Sequence, residues 1–358
     1  KQHHDEEERR MKPLPFLLLL VIIISTLCPS TKALQSVALL TGATGRTGQL
    51  VTTKLLNQGF LVRIFCRDEE KARQTFGLNP NIEFCCGDLS STQDIEEAFK
   101  SKKQLTHVVF MAGGEGADYN IVNFLGLKAF AEKAELCDSI KHFVVISSAW
   151  ATRPYSIAGL LFNSMYQDTV PMASHYLGEQ ALRSAACKTN GRLNYMILRA
   201  GGLNEDDRYA KKYPDAYAKG LTYQQGDNFD FLGIAGRPGM CRSQLADAVV
   251  SCINVQGRYT FEVTGSGNFE RTDSSFYKSF EEDKVLIASL DSNRHEEIIT
   301  AMHTQAVGQL KTMAFAASAG SIALVAHYGW LQGICFVLTM DAIILMIWSV
   351  FLTKQQAL

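Results

Sequence analysis

The sequence predicts an α/β domain built on a doubly wound parallel sheet, followed at the C-terminal end by a transmembrane helical hairpin. Three observations carry that prediction. Between Gln35 and Gly265, short β-branched or aromatic runs alternate with helical patterns, the rhythm of a parallel sheet with helices on both faces. A glycine-rich turn follows the first of those runs and opens the first helix. Near the C-terminus, Thr312 to Trp330 and Ile334 to Leu352 hold no Lys, Arg or Glu, and each is about long enough to cross a bilayer core of ~30 Å.

Ser36-Val-Ala-Leu-Leu-Thr41 reads as the first strand. Gly48 to Gly59 reads as the first helix, with Leu50, Val51, Leu55 and Leu56 on one side and Gly59 as its stop. Leu61 to Cys66 gives strand two, Asn81 to Cys86 strand three, His107 to Ala112 strand four, His142 to Ser147 strand five and Tyr195 to Leu198 strand six. Arg258 to Val263 is expected as an edge strand. The stretch from Asn204 to Gly239 is polar and rich in Gly, Asp and Tyr, and is expected on the substrate side of the sheet. The organisation is therefore an N-terminal extension and signal segment over 1–33, an α/β domain over 34–275, an amphipathic helical connector over 276–311 and two transmembrane helices over 312–353.

Met11-Lys-Pro-Leu-Pro followed by Phe16 to Ile24 and a small residue at Ala33 has the layout of a secretory signal. Met11 reads as the natural start, with the wholly polar Lys1 to Arg10 before it. The apolar run is also near the lower limit for an uncleaved anchor. Thr31-Lys-Ala-Leu34 resembles the junction of bipartite plastid-targeting sequences, with Leu34 where Phe is expected. The expected location is thus a membrane reached by the secretory route, that of the endoplasmic reticulum or of a plastid. In the C-terminal hairpin, His327 to Gly333 supplies the turn and Lys311 and Lys354 flank the outer ends. Small residues over Ala314 to Ser321 suit close helix packing. A buried helical pair closing the soluble core is the competing reading. Asp341 lies inside the second run and receives no role.

Bulk properties exclude several functions. The 358 residues suffice to bury a core. The 35 Lys and Arg balance 36 Asp and Glu, so no broad basic field attracts nucleic acid. The nine cysteines show no C-x-x-C spacing and no Cys/His cluster, so no metal site is expected. Cys85 and Cys86, as neighbours on a strand, should point to opposite faces.

The chemistry sits in Thr41-Gly-Ala-Thr-Gly-Arg-Thr-Gly48. A pyrophosphate needs backbone N–H groups and a positive helix terminus aimed at it, with no side chains in the way. Gly42 permits the tight exit from the strand, Gly45 lets the backbone reach the phosphates and Gly48 lets the helix pack on the strand. Thr44, Arg46 and Thr47 complete the turn. The turn follows an apolar strand and begins a βαβ unit, the context that a dinucleotide site requires. At the end of strand two an acidic residue would accept from the ribose 2′-OH of NAD, whereas an arginine pairs with the 2′-phosphate of NADP. Arg67 stands there, and Arg46 can approach the same phosphate from the other side. NADP(H) is the expected cofactor. NAD is the less favoured alternative, because Asp68 could serve the hydroxyl if the strand ends one residue later.

Thr41 to Gly48, Phe65-Cys-Arg67, Gly87-Asp-Leu89, Val145-Ile-Ser-Ser148 and Leu198-Arg-Ala-Gly-Gly-Leu203 together resemble the atypical short-chain dehydrogenase/reductase family, which includes NmrA-like proteins. The resemblance covers about Gln35 to Gly265 and implies an NAD(P)-binding Rossmann domain. It also implies that Asp88 and Leu89 flank the adenine, that Ala112 and Gly113 line the cofactor, and that Ser147 and Ser148 lie beside the nicotinamide. Hydride-transferring members pair a Tyr with a Lys four residues on, the Lys lowering the Tyr pKa. Tyr155, Tyr166 and Tyr176 are followed at that spacing by Gly159, Val170 and Gln180. In Ser174 to Arg183, which resembles the family's Lys-x-x-x-Glu-x-x-Leu-Arg helix, His175 stands where the Lys is expected. Ser148, His175 and Tyr176 are the candidates for proton transfer. Two readings result: a membrane-tethered NADP(H)-dependent oxidoreductase, or a non-catalytic NADP(H)-binding accessory protein, assembly factor or redox sensor within a membrane-protein complex.

Overall fold

The chain divides at residues 35 and 36 into two units. The computed structural model describes residues 35–113, 119–152, 171–226, 239–265, 277 and 280–283, all of which except Gln35 belong to the second unit. The elements of that unit in chain order are β1 (Val37–Thr41), α1 (Arg46–Asn57), β2 (Leu61–Cys66), α2 (Glu69–Phe76), β3 (Ile82–Cys86), α3 (Thr92–Phe99) and β4 (His107–Phe110). A π-helical stretch, Asn120–Gly126, runs directly into α4 (Leu127–Leu136). Then come β5 (His142–Ser148), α5 (Pro171–Lys188), β6 (Asn194–Ala200), β7 (Leu203–Asn204), α6 (Asp206–Lys212), α7 (Pro214–Lys219), β8 (Leu221–Gln224), β9 (Met240–Cys241), α8 (Arg242–Ser251) and β10 (Arg258–Gly265).

Eight strands form one sheet in the order β3-β2-β1-β4-β5-β6-β10-β8. Every pairing in it is parallel except β10 with β8. β1 is buried at all five residues, as a strand covered on both faces must be. Its side chains alternate: Leu40 joins a core with Val51 and Leu55 of α1 and Leu245 and Val249 of α8. Leu39 joins the opposite core with Ile95 of α3, Phe130 of α4 and Leu182 of α5. The chain reverses direction across the sheet between β1 and β4, and in such sheets the crevice beyond the strands' C-terminal ends at that switch is the ligand site.

One sequence expectation needs correction. β10 is not an edge strand; it lies between β6 and β8, with Phe261 and Val263 fully buried. The edge belongs to β8, four residues whose burial alternates as a half-covered strand should. That strand lies inside the polar stretch from Asn204 to Gly239, where no strand was expected from sequence. Residues 277 and 280–283, assigned by sequence to the connector, begin on this sheet: Phe280 packs its ring 4.8 Å from that of Phe261, and Asp283 accepts from the Tyr195 hydroxyl at 2.9 Å.

Among the described residues no helix is long and apolar enough to cross a membrane. The signal segment and both C-terminal apolar runs lie outside the described residues.

Candidate functional site

The end of β1 fixes the site. Thr41 Oγ1 accepts from the N–H groups of Met111 and Ala112, at 3.2 and 3.3 Å, locking the exit of β1 to that of β4. Gly42 then turns with φ +69°, and a Cβ there would stand 2.6 Å from the Ala112 nitrogen. A Cβ on Gly48 would collide with the Gly42 carbonyl oxygen, so only glycine lets α1 start this close to the strand. Gly45 is the N-cap of α1 and offers no side-chain cap, and the first turn carries no acidic residue. The helix N-terminus is therefore left to an anion from outside the chain.

Beyond this turn a cavity of about 550 Å³ opens, lined among others by Thr44, Arg67, Lys71, Asp88, Leu89 and Ala112. Gly42, Gly45 and Gly113 also line it. Asp68 contributes to the wall too, but its carboxylate caps α2, with Oδ1 accepting from the Lys71 N–H at 2.9 Å. Asp88 accepts from Ser90 through both N–H and hydroxyl, at 2.8 and 2.6 Å. Those bonds, with Arg67 nearby, hold its carboxyl below the ordinary value, so it is an acceptor at neutral pH.

Arg46 is not brought to the cavity wall. Its guanidinium sits on Glu205, which also accepts from Arg242 at 3.1 Å. Arg242 also donates to the Thr47 hydroxyl at 3.4 Å. The second cation on the wall is instead Lys71, four residues after Arg67 and in the first turn of α2. Sequence reasoning passed over it, although the Asp68 cap followed by two glutamates marks a helix start that would have placed it.

Ser147, expected beside the nicotinamide, and the proton-transfer candidates Ser148, His175 and Tyr176 are not among the residues that line this wall. Ser147 is buried and donates to Glu179 Oε1 at 2.7 Å. Ser148 donates to the Ala149 carbonyl at 3.1 Å. His175, half-buried on α5, has Nε2 at 3.4 Å from Asn123 Nδ2, and burial pushes its imidazole down to about 4, so it is neutral near pH 7. Tyr176 is half-buried beside it. Tyr155 and Tyr166 lie outside the described residues.

Glu179 is the glutamate of the helix pattern that Ser174 to Arg183 resembles, but sequence reasoning assigned it no role. Fully buried, it takes two bonds from Arg199, at 2.9 and 2.6 Å, and a third from Arg183 at 3.2 Å. Burial alone would raise its carboxyl, but Arg199, Arg183 and Ser147 together hold it below the ordinary value. Arg183 continues the network to Thr260 at 2.7 Å and Asp283 at 3.4 Å. Among the described residues no cluster of three His, Cys, Asp or Glu side chains suits a metal.

A 3-2-1-4-5-6 parallel order, an uncapped glycine-rich helix start at the switch point and a cavity running to the end of β2 define an NAD(P)-binding Rossmann protein. The model of the NAD(P)H-binding family matches residues 42–256, and the chain belongs to that family. This agrees with the resemblance to atypical short-chain dehydrogenases/reductases. An uncharacterised chloroplastic protein of Arabidopsis thaliana is 27% identical over 170 residues, 46% of this chain and 58% of that one. A UDP-glucose 4-epimerase of Pisum sativum is 33% identical over 106 residues, 27% of this chain. The chain thus spans little more than half of the first relative and 26% of the second. Among solved structures, a putative NAD-dependent epimerase/dehydratase from Bacillus halodurans superposes with a TM-score of 0.52 at 21% identity, covering 66% of this chain and 97% of that one. That likeness is one of fold.

Proposed function

We propose that the protein is a membrane-tethered oxidoreductase that uses NADP(H) in preference to NAD(H). The observation that carries the cofactor choice is the end of β2: Arg67 and Lys71 both line the cavity while Asp68 is occupied in capping α2. Two cations suit a 2′-phosphate, and a carboxylate already accepting a backbone N–H is less free to take a ribose hydroxyl. In this reading Thr44, Gly45 and the start of α1 hold the pyrophosphate, Asp88 and Leu89 flank the adenine, and Ala112 and Gly113 follow the cofactor toward Ser147 and Ser148. Bound NADPH supplies a hydride. The proton then comes from a group other than a Tyr-x-x-x-Lys pair, with Tyr176 or Ser148 as this chain's own candidates.

A second reading, a non-catalytic NADP(H)-binding subunit of a membrane complex, is favoured by one specific observation. Ser147 is held by Glu179 and His175 lies against Asn123, and neither lines the nucleotide cavity. Nucleotide titration tests the shared part: NADPH should bind at least about tenfold more tightly than NADH. Arg67→Ala or Lys71→Ala should each weaken NADPH about 10- to 100-fold, the equivalent of one charge-assisted hydrogen bond, and leave NADH little changed. Equal affinity for the two nucleotides overturns the preference. NADPH oxidation with carbonyl and quinone substrates then separates the readings, since tight binding without turnover selects the second.

The membrane tether rests on the apolar runs 312–330 and 334–352. The full chain should stay with membranes through alkaline carbonate extraction, and its release into the supernatant rejects the tether. The chloroplastic relative favours a plastid over the endoplasmic reticulum.

A further inference from the structure

Cys66 ends β2 and Cys86 ends β3, and the two are register partners in the parallel ladder. Neighbouring strands lie about 4.8 Å apart, inside the roughly 4.4–6.8 Å Cα separation that a disulfide spans. Register partners also share a face of the sheet. Cys66 packs against the α1/α8 core and Cys85 against the opposite one, so the alternation puts Cys86 on the side of Cys66. The Cys86 thiol already reaches across to β2, donating to the Arg67 carbonyl at 3.4 Å. Both thiols are free. Cys86 is exposed, while Cys66 is half-buried in the cavity wall beside Arg67.

We propose that Cys66 and Cys86 form a reversible disulfide that weakens NADP(H) binding in the adjoining cavity. The oxidant is a small disulfide such as oxidised glutathione. The Cys86 thiolate attacks one of its sulfurs, forming a mixed disulfide and releasing one glutathione thiolate. Cys66 then loses its proton to solvent, attacks the Cys86 sulfur and releases the second glutathione. Two protein thiols are oxidised and one glutathione disulfide is reduced. Burial pushes the Cys66 thiol up to about 11, which makes it the resolving rather than the attacking partner. Bridging draws the Cys66 sulfur from the wall toward β3 and takes Cys86 off the Arg67 carbonyl, disturbing the backbone that presents Arg67. Only this effect on binding rests on the cofactor reading above.

The test equilibrates the full chain in mild detergent with glutathione redox buffers, blocks remaining thiols and maps peptides by mass spectrometry. A Cys66–Cys86 linked peptide is expected, retained in Cys85→Ser and lost in Cys86→Ser. NADPH should bind the oxidised protein about tenfold more weakly than the reduced one, and by reciprocity NADPH should lower oxidation of the pair by the equivalent of about 30 mV. Cys86→Ser should bind NADPH equally under both conditions. A glutathione adduct alone, a Cys85–Cys86 bridge, or equal affinity in both redox states overturns the proposal. Reduced protein that ignores NADPH overturns the cofactor reading instead, while the linked peptide still reports the bridge.

Discussion

Arg67 and Asp68 are consecutive, and the backbone gives them different tasks. Asp68 starts α2 and accepts its own helix's N–H; Arg67 stays in the cavity wall. The same division of labour recurs at Ser147 and Ser148, where one hydroxyl is bound to a buried carboxylate and its neighbour to a backbone carbonyl. Glu179 is the residue whose loss should cost most. Its removal leaves Arg199, itself buried, without its two-point partner, and breaking a buried pair in this way costs about 3–5 kcal/mol. Glu179→Ala should therefore lower the urea midpoint markedly. Glu179→Gln, which keeps the shape and one acceptor, should fall between it and the parent. Equal midpoints for the alanine variant and the parent would mean that the network contributes nothing.

Among the elements, helix ends show how strands position helices. α4 ends at Leu136, and Arg192, just before β6, donates to the carbonyls of Ala134, Glu135, Cys137 and Ile140. Arg63 of β2 does the same for α3, donating to Glu97 and Ala98. A guanidinium suits this place because it satisfies several orphan carbonyls at once and sits at the negative end of the helix dipole. Arg192→Ala should destabilise the fold by about 2–3 kcal/mol, with hydrogen exchange faster in the last turn of α4. Arg192→Lys, with one compact charge, should recover only part of the loss. The six parallel strands of the nucleotide-binding core were legible to within a residue or two, because all but the half-buried edge strand β3 are runs buried on both faces. β8 was not, since its alternation runs over only four residues inside a polar stretch, too short to stand out. The glycine turn was legible because the phosphate approach dictates residue type, whereas Glu179 and Arg199 pair across twenty positions with no local rule to join them. The π-helical stretch carried no sequence signal at all.

For the whole molecule, pH is the most direct probe of how burial is distributed. His107 and His142 stack with ring centroids 4.8 Å apart at the N-terminal ends of β4 and β5. Burial, followed by the charge of His142, pushes His107 down to about 4, and burial lowers His142 as well. An unfolded histidine titrates near 6.5, so between about pH 6.5 and 4 the unfolded chain binds protons that the folded one refuses. Stability is thus fully present above that window and lost as pH falls through it, with about 2 kcal/mol lost between pH 7.5 and 5 from His107 alone. Glu179, held below the ordinary carboxylate value, adds a second loss only at lower pH. Urea unfolding at pH 7.5 and 5 should show the first step, and His107→Gln should shrink it. An unchanged pH dependence in that variant would place the acid sensitivity elsewhere.

The position of β10 between β6 and β8 also sets an order of assembly. On a ribosome, β1 to β6 can pair as they emerge, but β8 has no neighbour until the far end of β10 is made, about forty residues and roughly two to eight seconds later. For that interval β6 presents a bare edge, the kind of template on which nascent chains mispair. A stall that leaves the chain emerged only to a point between Gln224 and Arg258 should therefore hold it in its most aggregation-prone state, and one late enough for Gly265 to have emerged should release it.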